Sequence, residues 1–117
     1  MAIEIIREPI TRNQLRQIAE QQFGDFVKAV VDSEHEIMAI GGELHADEEV
    51  LLSEEAESKR ECTWGINLYP DNAGEEWIEF DSMVNIKPQY GNRSRNVENP
   101  EIREKIKTIV KKLIRDE

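Results

Sequence analysis

Residues 62–88 constrain the fold most, because they hold both tryptophans in two runs that alternate with a period of two. Cys62, Trp64, Ile66 and Leu68 alternate with Thr63, Gly65, Asn67 and Tyr69. After a polar loop over residues 70–75, Ile78, Phe80, Val84 and Ile86 alternate with Glu79, Asp81, Asn85 and Lys87. Successive side chains of a strand point to opposite faces, so one set is buried and the other meets solvent or a second layer. The expectation is a two-stranded antiparallel unit whose polar face would floor any pocket.

The flanking segments supply the layers. Residues 2–7 predict a short strand that Pro9 ends. Thr11 is a good N-cap, and Leu15, Ile18, Ala19 and Gln22 follow at helical spacing until Gly24. Residues 26–31 and 37–40 are apolar and rich in β-branched residues, with the tetrad Ser33-Glu34-His35-Glu36 between them, which predicts a hairpin of central strands. Asn99 caps a last helix with Pro100 at its first position, and Ile102, Ile106, Ile109, Val110, Leu113 and Ile114 form its apolar stripe. Residues 43–61 carry eight acids; Val50, Leu51 and Leu52 must be buried, as a short strand or as one face of a short helix, and 53–61 read as an exposed loop. The order is β-α-β-β-β-β-α: an α+β, two-layer sandwich in which two helices cover one face of a mostly antiparallel sheet of about five strands.

Length and charge bound the function. At 117 residues the chain reads as one domain, 1–117, burying roughly 65% of its unfolded surface without metal or disulfide. A net charge of −10 argues against nucleic acid and anionic membranes as partners. A protein partner, a second copy of the chain and a small ligand stay open. Charge is uneven: residues 93–117 carry +3 and residues 1–92 carry −13. The single cysteine, Cys62, cannot form an internal disulfide, and acids interrupt the apolar run at the N-terminus, so a cytoplasmic protein is expected. Cys62 falls in register with Trp64 and reads as a buried, inert thiol.

Three constellations could carry chemistry. If the strand ending at Ile40 continued through Asp47, Glu43, His45 and Asp47 would project to one face, as an imidazole and two carboxylates suited to a divalent metal or to acid–base work. The paired glycines Gly41 and Gly42 before them permit an unusual turn or a close approach. Arg93 and Arg95, in a loop leading to a helix start, could hold a phosphate or carboxylate. The polar strand face offers Asn67, Tyr69, Glu79, Asp81, Asn85 and Lys87 as a binding floor or a hydrogen-bonded ladder. Each has a plainer reading, as solvated surface or as pairing with the chain's own acids. No P-loop, dinucleotide fingerprint, nucleophile elbow, paired-cysteine zinc motif, HExxH or EF-hand loop occurs.

The segments Ile40-Gly41-Gly42-Glu43-Leu44-His45-Ala46-Asp47, Trp64-Gly65-Ile66-Asn67-Leu68-Tyr69-Pro70, Phe80-Asp81-Ser82-Met83-Val84-Asn85-Ile86-Lys87-Pro88 and Gly91-Asn92-Arg93-Ser94-Arg95 together resemble a small prokaryotic family known only as a domain of unknown function. The resemblance runs over essentially the whole chain and brings no activity, cofactor or site residue with it. Two functions therefore stand side by side. One is a non-enzymatic binding or interaction module. The other is a divalent-metal-assisted, hydrolase-like enzyme using Glu43, His45 and Asp47, with Arg93 or Arg95 on an anionic substrate group.

Overall fold

The computed structural model describes residues 3–116. In chain order it contains β1 (Glu4–Ile6), β2 (Ile10–Thr11), α1 (Arg12–Gln21), β3 (Val27–Asp32), β4 (Ile37–Ile40) and α2 (His45–Ala56). Then come β5 (Thr63–Leu68), β6 (Ile78–Glu79), α3 (Pro100–Leu113) and β7 (Ile114–Arg115). Five strands form one antiparallel sheet in the order β1-β4-β3-β5-β6, while β2 and β7 pair in parallel beside it. The fold is α+β. The strand expected over residues 2–7 is β1, and Ala2 lies outside the described residues.

The caps form as their chemistry requires. The Thr11 hydroxyl accepts from the Gln14 N–H while the Gln14 side chain accepts from the Thr11 N–H, which is a capping box. Asn99 Oδ1 accepts from the Glu101 and Ile102 N–H groups, with Pro100 in the first turn where no N–H is needed. The apolar stripes of α1 and α3 then meet one face of the sheet. Leu15, Ala19, Ile106, Ile109, Val110 and Leu113 pack there against Val27, Ala29, Val31, Met38, Ile40, Trp64, Ile66 and Leu68.

The opposite face is also covered. The exposed loop expected over residues 53–61 is in its first part the end of α2, which lays Leu52 and Ala56 over Val30, Ile37, Ala39, Ile3 and Ile5. This third helix makes the molecule three layers deep where α2 lies. For Thr63, Gly65 and Asn67, expected to meet solvent or a second layer, α2 and the turn after β6 supply the second layer, and all six residues of β5 are buried.

β6 pairs with β5 only at Asn67↔Glu79 and Leu68↔Ile78. The alternation over residues 80–86 predicts a longer strand, yet the chain leaves the sheet and forms a 3-10 turn over Met83–Asn85. Side chains then complete the edge of β5. The Asn85 carboxamide accepts from the Gly65 N–H (2.8 Å) and donates to the Gly65 carbonyl (3.0 Å), reproducing both bonds of a strand neighbour. Lys87 Nζ donates to the carbonyls of Arg60 and Thr63 and lies 4.3 Å from the centre of the Trp64 ring. Gly65 has no Cβ for a reason: one would sit 2.5 Å from Ser82, so only glycine lets the turn approach.

Candidate functional site

A cleft of about 500 Å³ opens where the N-terminus of α2 faces the turn over Met83–Asn85 across the Asn67 end of β5. Lys28, Asn67 and Glu79 form its floor, because the β3–β5–β6 register sets their side chains on one face of the sheet. Leu44, His45 and Ala46 form one wall, and Asp81 to Val84 with Arg95 form the other. Phe26 and Tyr69 close one end and stack at 5.3 Å; Phe23 extends the stack at 4.7 Å from Phe26.

Electrostatics tune each polar group. His45 Nε2 lies 2.8 Å from the Ile66 carbonyl, which can only accept, so Nε2 carries the proton and Nδ1 keeps a free lone pair. Burial lowers the His45 pKa, which favours the neutral ring. Glu79 accepts from Asn67 Nδ2 (2.8 Å) and the Tyr69 hydroxyl (3.3 Å), and burial together with the Glu79 charge raises the tyrosine pKa. Asp81 is paired with Arg95 at 2.6 Å. Two carboxylates thus face two cations, Lys28 and Arg95, and the lining charge balances. Asn67 Oδ1 is the exception: it is buried, on a residue only 7% exposed, and accepts from no protein donor. An acceptor left so loses about 1–3 kcal/mol unless a water or ligand donor meets it.

The sequence-derived candidates divide clearly. Asn67, Tyr69, Asp81 and Arg95 come together in this cleft, and His45 joins them from a segment proposed for a different role. Asn85 does not line it, since both ends of its carboxamide hold the Gly65 backbone. Arg93 lies outside it, exposed, its N–H donating to Glu98. The strand continuation that would align Glu43, His45 and Asp47 does not form. Gly41 turns the chain at φ +90, His45 opens α2, and positions two apart on a helix point in different directions. Glu43 and Asp47 do not line the cleft, and no three His, Cys, Asp or Glu side chains among the described residues are grouped to hold a metal ion.

A family described as a protein of unknown function (DUF5674) matches residues 4–113. The chain belongs to this family. The match covers every element that builds the cleft, from β1 to α3. No curated protein and no solved structure matches the chain.

Sequence reasoning missed three buried ionisable groups, Asp32, Glu48 and Lys87. Glu48, on α2, is fully buried: its Oε2 accepts from the Gly42 N–H at 2.9 Å, its Oε1 has no partner, and burial pushes its pKa up to about 9. Alternation places Lys87 on the outward face, yet it is fully buried and its pKa is pushed down to about 8 by desolvation. The one legible signal was Gly42, where a Cβ would lie 2.9 Å from Glu48 Cγ. Elsewhere, Cys62 sits half-buried with its thiol pKa raised by burial and nearby carboxylates, which keeps it protonated. His35 is exposed in its turn, where its Nδ1 meets Asp32 at 2.6 Å and that bond raises its pKa.

Proposed function

We propose that the chain is a non-enzymatic binding module that takes a small, neutral, planar ligand bearing N–H donors into the cleft between α2 and β5. The observation that carries this reading is Asn67 Oδ1, a buried acceptor without a donor on the cleft floor. The balanced lining charge favours a neutral ligand over an ion. His45 Nδ1 and the Glu79 carboxylate add acceptor capacity, and the Phe26–Tyr69 stack and Leu44 offer flat apolar surface for the ligand's body. A hydrolytic reading lacks comparable support, because Glu43 and Asp47 stand away from His45's cleft. A free, protonated Cys62 suits the reducing cytoplasm in which such a module would act.

The test is an amide-resolved NMR titration with nicotinamide and uracil, using nicotinate and benzylamine as charged comparators. The neutral amides should shift residues 44–46, 67 and 81–84, and Asn67→Ala should abolish those shifts in a protein that still folds. Stronger shifts from either charged comparator, or none in those residues from the amides, would remove the proposal.

A further inference from the structure

On the other side of the sheet a larger cleft, about 890 Å³, opens between the start of α1, the 3-10 turn over Gly74–Trp77 and the end of α3. Its charge runs against the rest of the chain. Arg12, Lys107, Lys111 and Arg115 line it against only Glu75 and Asp116, in a protein of net charge −10. Its apolar floor is Trp77, Ile78 and Ile114, all buried.

Arg12 and Lys107 are more sheltered than their acidic partners. Arg12 and Lys107 have side chains 19% and 18% exposed, whereas those of Asp116 and Glu75 are 85% and 81% exposed. Arg12 is anchored without Asp116: Nε donates to the Pro70 carbonyl (2.8 Å), Nη2 to the Asn72 carbonyl (3.0 Å), and the guanidinium lies 4.1 Å over the Trp77 ring. Nη1 is left to meet the Asp116 carboxylate at 2.8 Å. Lys107 likewise reaches Glu75 at 3.0 Å and Glu104 at 3.1 Å. Exposed carboxylates hold such partners weakly, so an entering anion can take their place. Lys111 and Arg115 form no ion pair among the described residues.

We propose that this cleft is a second ligand site, for a small organic phosphate monoester. The phosphate replaces Asp116 and Glu75 on Arg12 and Lys107, and the organic body lies on Trp77 and Ile114. The lining holds four cations to two carboxylates, with Glu104 reaching Lys107 from beside it, which favours an anion, and the guanidinium presents N–H geometry that phosphate oxygens accept. The site is independent of the neutral-ligand cleft across the sheet.

Trp77 supplies the readout. Phenyl phosphate should change tryptophan fluorescence saturably, with the signal lost in Trp77→Phe, and should bind at least tenfold more tightly than inorganic phosphate or phenol. The double variant Lys111→Glu with Arg115→Glu, both exposed and outside any ion pair, should weaken binding at least tenfold while the melting point holds. Asp116→Asn should tighten binding several-fold, and the same charge change at a distance, Glu54→Gln on α2, should leave it unaltered. Equal affinity for phenyl phosphate and inorganic phosphate would reduce the site to general charge attraction and overturn the proposal. Indifference to the charge reversals, or absence of any saturable change, would overturn it as well.

Discussion

The two faces of the five-stranded sheet are closed by different physics. Toward α1 and α3 the contact is hydrocarbon, with Leu15, Ile106, Ile109 and Leu113 set on Val31, Met38, Ile66 and Leu68. Toward α2 a small apolar patch around Val30, Ala39 and Leu52 gives way to buried polar groups: Asp32, Glu48, Thr63, Asn67, Asn85 and Lys87. Apolar burial is non-directional, so the first face needs only volume and pattern. Polar burial is directional, and every donor and acceptor must find its match. Asp32 shows the match made: burial alone would raise its pKa, but bonds from Ser58, His35 and two backbone N–H groups bring it below the ordinary value. Two of the three unmatched buried side-chain atoms among the described residues, Glu48 Oε1 and Asn67 Oδ1, lie on this polar face. Its buried titratable groups, Asp32, Glu48 and Lys87, tie stability to pH.

Truncation on the hydrocarbon face should have the largest effect. Leu15 is fully buried, and Leu15→Ala should remove about 2–5 kcal/mol in urea denaturation at unchanged m-value. A loss below roughly 1 kcal/mol would mean that this face is not the main source of stability.

On the polar face, Glu48→Gln should reverse the sign. The folded protein holds the Glu48 proton up to about pH 9, while the unfolded chain releases it near its ordinary 4.5. Between those values the folded state binds the extra proton, so stability falls as pH rises, about tenfold in the folding equilibrium per pH unit. From pH 5 to pH 7 that is roughly 3 kcal/mol. Glu48→Gln removes the dependence, so the variant should be the more stable at pH 7 and lose that advantage toward pH 4.5. The difference between variant and wild type isolates Glu48 from His35, whose raised pKa also makes stability fall as pH rises. Parallel pH profiles for the two proteins would show that Glu48 does not stay protonated.

The smallest of the three effects belongs to Asn85. Asn85→Ala leaves the buried Gly65 N–H and carbonyl without their partner, which should lower stability by about 1–3 kcal/mol and speed amide exchange at Gly65. Unchanged exchange there would mean that the carboxamide does not serve as the missing strand.

The legible elements were those whose signal is local. Thr11 as a cap, Asn99 with Pro100 and the stripe from Ile102 to Leu113 each state a hydrogen bond or a period within a few residues, whereas Ile114, expected to continue that stripe, leaves the helix for β7. α2 is only partly legible because it lacks both signals, so Val50, Leu51 and Leu52 fit a short strand as well as one face of a helix. Leu44 offers no capping side chain, Val50 is exposed, and the buried positions are Leu52 and an acid, Glu48. The site was half legible: alternation put Asn67, Tyr69, Glu79 and Asp81 on a polar face, but nothing near His45 in the chain says that it arrives opposite Asn67. Lys87 carried no signal either, since a lysine in alternation reads as solvated unless one knows that its stem can reach the Thr63 carbonyl.

The sequence by itself determined the apolar stripes, the caps, the central hairpin and the charge asymmetry, because periodicity, backbone capping and summed charge act over a few residues or over all of them. Tertiary structure alone decided which side of the sheet α2 would close, which ionisable groups would be buried there, and that His45 would face Asn67. Those outcomes depend on desolvation and on hydrogen bonds between segments about 20 residues or more apart, as in Gly65 to Asn85 and Thr63 to Lys87, which no local pattern encodes.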